Sequence, residues 1–279
     1  MLLSTMWELY ASDKRFMGYS EHTLKAYRLQ HRILAERLGD PKIEDVTFGQ
    51  LKEYLGTLTH LKPASVGHRI RFIRSFFRWA QDESYNVGNP ASKLMEPKTG
   101  QRIPKALSEE DFETLRIGCQ SALEHSIIEF IYSTGCRIGE VVGLNRNSIT
   151  WEDRSCIVRG KGDKEREVYF TIRAEIWLKK YLRERQDTDI ALFVTERKPH
   201  RISIAQMRYI VKRVANKAGV NVNVYPHKLR HSYATHLLNN GAPLELIQSL
   251  LGHAKMDTTR VYAILSGKRR QELYRKYFN

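Results

Sequence analysis

The sequence predicts a mainly α protein (α+β) in two parts, with one small antiparallel sheet in the second. Three observations carry this. Apolar residues recur at three- and four-residue intervals through most of the chain, the spacing of helices with one buried face. Between residues 147 and 170 the period shortens to two, as in half-buried strands. Residues 88–106 are rich in Pro and Gly and poor in apolar side chains, as an exposed crossing between domains would be. The expected organisation is a helical bundle at 1–87, a linker at 88–106 and a mixed α/β domain at 107–279. A chain of 279 residues can bury two cores of that size.

In order, residues 1–17 read as an amphipathic helix with Leu2, Met6, Leu9, Tyr10 and Phe16 as its apolar members. Ser20 caps a second helix to Leu38, lined by Leu24, Tyr27, Leu34 and Leu38 and broken by Gly39-Asp40-Pro41. Thr47 begins a third helix through Leu58, and Pro63 a fourth to about Asp82. The fourth buries Phe72, Ile73, Phe76, Phe77 and Ala80; its opposite face carries His68, Arg71, Arg74 and Arg78 at helical spacing. A charge run is usually a solvated face, but this one is of a single sign.

The second domain starts at Ser108, a helix cap by chemistry because Asp111 follows three residues on. Helices follow to Leu115, from Leu123 to Ser133 and from Arg137 to Leu144. Ile149-Thr150-Trp151, Cys156 to Arg159 and Glu167 to Phe170 are the three expected strands, with Lys161 in the Gly-flanked turn between the second and third. Residues 174–186 and 203–219 are further helices, and Arg201, Arg208, Lys212 and Arg213 add positive charge there. Pro226 suits the first turn of a helix because its missing N–H would be unpaired in any case. That helix stops at Asn239-Asn240-Gly241; Pro243–Leu251 and Thr258–Leu265 are shorter, and Ser266–Asn279 forms a basic amphipathic end.

Composition narrows the partner. Hydrophobic content of 42% and charged content of 28% are ordinary for a globular protein, but the net charge of +15 is not. It calls for an acidic partner, nucleic acid first, although ribosomal or membrane-surface proteins share such a charge. Cys119, Cys136 and Cys156 are odd in number and scattered, which fits a reducing cytosol better than a disulfide framework. Early charges at Glu8, Asp13, Lys14 and Arg15 argue against a signal peptide, and no apolar run is long enough to cross a bilayer.

His227 and Arg230 lie one turn apart at a helix start. A helix dipole, free backbone N–H groups and a guanidinium fork meet there, which suits an anion with several oxygens. A surface His and Arg near a helix start would look the same in isolation. The surrounding pattern adds weight: Arg137 follows Gly135, His253 follows Leu251-Gly252, and Tyr262 stands nine residues beyond His253. In this order, Arg137, His227-x-x-Arg230, Leu251-Gly252-His253 and Tyr262 resemble the tyrosine recombinase (phage integrase) family, most closely its Xer-type and small transposon-borne members. Gly160-Lys161-Gly162-Asp163-Lys164 is similar to the family's hairpin lysine, with Lys164 a competitor for that role. The catalytic resemblance spans residues 105–265. Residues 20–38 also resemble the family's N-terminal DNA-clasping bundle, by pattern more than by fixed residues.

The resemblance implies a catalytic domain at 107–279 and a site-specific recombinase. Tyr262 would be the nucleophile, Arg137 and Arg230 the phosphate clamp, His227 and His253 phosphate or proton ligands, and Lys161 the general acid. It implies a 3′-phosphotyrosine, a Holliday junction and a tetramer on double-stranded DNA, formed by this chain alone or with a related recombinase, with residues 266–279 docking into a neighbouring subunit. Two arginines and a lysine on the phosphate need neither metal nor ATP. Lys25, Arg28, His68, Arg71, Arg74 and Arg78 are the expected DNA contacts. Glu140 would orient Arg137 or a neighbour, and His236 is expected to pack. The rivals are a topoisomerase-like enzyme and a DNA-binding protein without catalysis. A metallonuclease built on His227, His231, His236 and His253 lacks a His-Glu-x-x-His motif and a carboxylate cluster.

Overall fold

The computed structural model describes residues 1–85, 88–99, 106–160 and 164–252. The chain divides into two compact units, Met1–Arg102 and Ile103–Asn279.

The first unit is a four-helix bundle: α1 (Trp7–Phe16), α2 (Glu21–Leu38), α3 (Phe48–Gly56) and α4 (Pro63–Asp82). Its boundaries follow local chemistry. Ser20 Oγ accepts the Thr23 N–H at the start of α2, Thr47 and Gln50 form a reciprocal capping box on α3, and Pro63 opens α4. Leu24, Leu34, Phe72, Ile73, Phe76, Phe77 and Ala80 are buried as expected. Tyr10 sits at the centre, edge-on to Phe76 at 5.3 Å and bonded through its hydroxyl to Ser75 Oγ at 2.8 Å. Such aromatic pairs add to the area they bury.

The first expected helix is corrected. Leu3–Met6 forms a 3-10 turn before α1, and Phe16 is 92% exposed, with Leu2 and Leu9 also open. The inward line is Trp7, Tyr10, Ala11 and Lys14, the i, i+3, i+4, i+7 face; Phe16 falls off it. Part of the expected exposed crossing is packed as well. Ala91 and Leu94 are buried in this unit's core, held by a turn in which Asn89 Oδ1 accepts the Ala91 N–H at 3.0 Å. Two apolar residues three apart are too few to register as a periodic signal.

The second unit is organised around α6 (Ala122–Thr134), which is buried on nearly every face. Helices α8 (Ile172–Glu184), α9 (Ile204–Lys217) and α10 (Pro226–Asn239) pack on it, and α5 (Glu109–Ile117) precedes it with the expected Ser108–Asp111 capping box. Buried carboxylates on α6 are paired: Glu129 accepts from Arg116 at 2.6 and 3.0 Å, and Glu124 from Arg213 at 2.7 Å. Arg213 is thus used internally, and so is Arg201, which donates to the carbonyls of Val142 and Leu144.

The short α7 (Ile138–Gly143) leads into a three-stranded antiparallel sheet, β1 (Ile149–Thr150), β2 (Ser155–Arg159) and β3 (Glu165–Tyr169), in that order. Cys156 faces Val168 and Arg159 faces Glu165. Strand β3 therefore starts two residues earlier than expected, drawn by the hairpin register. Helix α11 (Leu244–Leu251) closes the described chain. The helices expected at 258–265 and 266–279 lie outside the described residues. Among the described residues no helix is long and apolar enough to cross a membrane.

Candidate active site

Arg230 projects from α10 and is 1% exposed, so its charge must be met by internal acceptors. Its Nη1 donates to Gly135 O and its Nη2 to Leu251 O, both at 2.7 Å. Those carbonyls belong to the C-terminal ends of two helices, where unpaired C=O groups and the helix dipole favour a cation. The first end is shaped by Gly135. It ends α6 at φ +61°, and a Cβ there would stand 2.4 Å from the Tyr233 ring. A side chain at 135 would push away the turn that receives Arg230.

Arg137 follows two residues later as the N-cap of α7. Glu140, one turn on, accepts its backbone N–H at 2.7 Å and its Nη1 at 2.9 Å. Arg137 Nη2 reaches Gly252 O at 3.3 Å. Arg137 and Arg230 therefore reach the last two residues of the described chain, 251 and 252, from two different elements. Glu140 is buried, which raises its pKa, but hydrogen bonds from Arg166 and then Arg137 outweigh this and hold it below the ordinary carboxylate value. It is an ionised carboxylate at neutral pH.

Arg166 was not among the residues that the sequence pattern singled out. From β3 it makes a two-point pair with Glu140, at 2.8 Å to each oxygen, and its Nε donates to Leu250 O at 2.9 Å. In sequence it sits in Lys164-Glu165-Arg166-Glu167, which looks like a solvated strand. The signal that could have found it is its place two residues before Val168, which is fully buried. On a strand those two share a face, so a charge at 166 points inward and needs a partner.

His227 opens α10 and stays accessible. Crowding by surrounding atoms, then the charges of Arg230 and Arg137, hold its pKa below the ordinary imidazole value, so the neutral ring prevails at pH 7. His231 is buried. His236 is more than packing: Tyr132 Oη lies 2.5 Å from its Nδ1, and Leu107 O is 2.9 Å from its Nε2. Lys161, His253 and Tyr262 lie outside the described residues. Their flanks are placed: Gly160 N–H donates to Lys164 O across the base of the β2–β3 turn at 2.8 Å, and Gly252 ends α11 at φ +61° immediately before His253.

In the first unit, His68, Arg71, Arg74 and Arg78 are exposed along α4. The three arginines line one cleft of about 410 Å³ with Ser75, Asn89 and Ser92. Arg71 pairs with Glu96 and Arg78 loosely with Asp82, whereas Arg74 makes no ion pair among the described residues. Lys25 and Arg28 are exposed on α2 but line a different cleft, with Trp7 and Glu8. The structure does not bring them into the cleft of the α4 arginines.

Residues 95–269 match the model of the phage integrase family. A tyrosine recombinase XerC of Oceanobacillus iheyensis is 34% identical over 279 aligned positions, covering 92% of this chain and 90% of that protein. Among solved structures, a lambda integrase (75–356) dimer bound to a COC′ core site superposes with TM-score 0.81 at 18% identity, covering 96% of this chain and 97% of that one. A lambda integrase tetramer bound to a Holliday junction gives 0.77 at 19% identity, over 91% of this chain and 78% of that one. At those identities the likeness is one of fold.

Proposed function

This chain belongs to the phage integrase family of tyrosine recombinases, and we propose that it is a site-specific DNA recombinase in which Tyr262 attacks a DNA phosphate. The observation that carries the reading is the meeting of Arg137 and Arg230 at residues 251–252, directly before His253, with His227 inside the field of both. Two planar, permanently charged guanidinium groups fixed at a helix end are donors preorganised for the oxygens of a phosphodiester.

In the proposed step, the Tyr262 oxygen bonds to phosphorus and the P–O5′ bond breaks. The tyrosine proton leaves to a base, for which neutral His227 or His253 is chemically suited, and the departing 5′ oxygen takes a proton from Lys161. A 3′-phosphotyrosine results, which keeps the energy of the broken ester, so that religation to another 5′-hydroxyl needs no ATP. Arg137 and Arg230 offset the charge that grows on the non-bridging oxygens, and no step here calls for a metal ion. Repeated on two duplexes by four subunits, alike or mixed with a related recombinase, the same exchange passes through a Holliday junction.

The first unit, with Arg71, Arg74, Arg78 and His68 on one helix and Lys25 and Arg28 on another, is the proposed clasp on duplex DNA. Residues 266–279 are the proposed docking segment between subunits. A cytoplasmic setting fits a DNA-acting protein of this composition.

The test uses labelled duplexes tiling the DNA around the gene for this protein, nicked to trap cleavage, with wild type and Tyr262→Phe in the presence of chelator. A denaturing gel should reveal a protein–DNA adduct from wild type alone. Salt-sensitive binding without any adduct would turn the reading towards a DNA-binding protein.

A further inference from the structure

We propose that Arg166 is a positioning residue for the strand-cleaving site, acting through Glu140 on Arg137 and through Leu250 on the end of α11; this rests on the reading of Arg137 and Tyr262 just given. A surface arginine on an edge strand would pair loosely with one neighbour. Arg166 instead makes three hydrogen bonds in fixed directions, two to Glu140 and one to Leu250 O, all between 2.8 and 2.9 Å. Its side chain is 12% exposed and that of Glu140 is 4% exposed. The pair is therefore largely removed from water, where geometry rather than screened attraction governs its effect.

Three pieces of chain are set against one another by this guanidinium. The first is the start of α7, because the carboxylate that Arg166 holds also receives Arg137 through both its backbone N–H and its side chain. The second is the end of α11. Besides the bond to Leu250 O, the aliphatic part of Arg166 packs so closely on Gly252 that a Cβ there would lie 2.9 Å from Arg166 Cδ. The third is the base of the β2–β3 hairpin, since a Cβ at Gly160 would meet Glu140 Oε1 at 3.4 Å and Arg166 Nη1 at 3.7 Å. Arg137, the residue before Lys161 and the residue before His253 thus share one cross-brace. A reacting group displaced by about 1 Å can lose on the order of 100-fold in rate, so a brace that fixes Arg137 together with Gly160 and Gly252 is worth more to the reaction than to folding.

Lysine separates the two roles. Arg166→Lys keeps a cation beside buried Glu140, so the carboxylate stays compensated and the fold stays intact. It cannot keep two parallel bonds to Glu140 together with the bond to Leu250 O. The experiment compares wild type, Arg166→Lys, Arg166→Gln, Glu140→Gln and the double variant Glu140→Gln/Arg166→Gln. It measures single-turnover adduct formation on the nicked duplex, affinity for the intact duplex, and Tm. Arg166→Lys is expected to hold Tm within a few degrees and duplex Kd within about threefold, while adduct formation falls roughly 10- to 100-fold. The double variant removes both charges together and is expected to cleave no more slowly than the slower single variant, since the two residues act in one chain of contacts. Wild-type cleavage by Arg166→Lys, or losses that multiply in the double variant, would overturn the inference while leaving the Tyr262 reading intact. Absence of an adduct from wild type itself would overturn both.

Discussion

The arginines of the two units are put to opposite use. Along α4 they stand in solvent, and the pairs that Arg71 and Arg78 make with Glu96 and Asp82 are exposed. In the second unit Arg230 is sunk among carbonyls and Arg166 and Arg137 share one buried carboxylate. The first arrangement exerts a field that reaches outward and is screened by salt. The second has its donors oriented before any anion arrives, so less reorganisation remains when charge develops. On the function proposed above, one set would attract a polyanion and the other would hold a single phosphate.

The sharpest way to break this contrast is at Arg230. Arg230→Ala should lower single-turnover cleavage by about 10²- to 10³-fold with duplex affinity nearly unchanged, as read from adduct yield and a binding titration. An affinity loss as large as the rate loss would mean that the buried arginine acts as the surface ones do. Next is the turn that receives it. Gly135→Ala combines a left-handed backbone with a Cβ 2.4 Å from Tyr233 and should cost about 2–4 kcal/mol in urea unfolding.

The outer set should respond to salt. Arg74→Ala is expected to lower the slope of log K against log salt by about one, whereas Arg71→Ala should change it less, because Glu96 already holds that side chain. Glu96→Gln should then raise affinity roughly 1.5- to 5-fold, the scale of an exposed pair. Slopes unchanged from wild type in all three variants would mean the cleft does not meet phosphate.

The smallest effect is one of pH and touches both units. Burial lowers the pKa of His31, and crowding with two arginines lowers that of His227. A folded-state value below the unfolded one means the unfolded chain binds more protons, so stability falls as pH drops through about 6.5. Urea midpoints at pH 7.5, 6.5 and 5.5 should decline in that order; a rising midpoint would reverse the assignment.

Much of this was legible because it is local. The Pro226 start, the stop at Asn239-Asn240-Gly241 and the caps at Ser20, Thr47 and Ser108 each act within a turn or two of sequence, and the structure places those helices there. Arg137 and Arg230 were legible through their positions in motifs. What escaped depends on partners far away in the chain. Arg166 is charged among charges until Leu250 and Glu140 are known to lie beside it. Ala91 and Leu94 look like loop until α4 supplies their other half, and Phe16 looks like core until the inward line of α1 is seen to pass through Lys14.

Gly252 carries a consequence for anyone who wishes to engineer the protein's grip on DNA. Its backbone is left-handed and its missing side chain is the space that Arg166 fills, so any side chain placed there meets both a strained backbone and a displaced guanidinium. The exposed row on α4 has no such constraint. On the proposed reading of α4 as a clasp on duplex DNA, variation drawn from that row, with 135 and 252 frozen, would retune the strength of the grip at the lowest loss of working sequences.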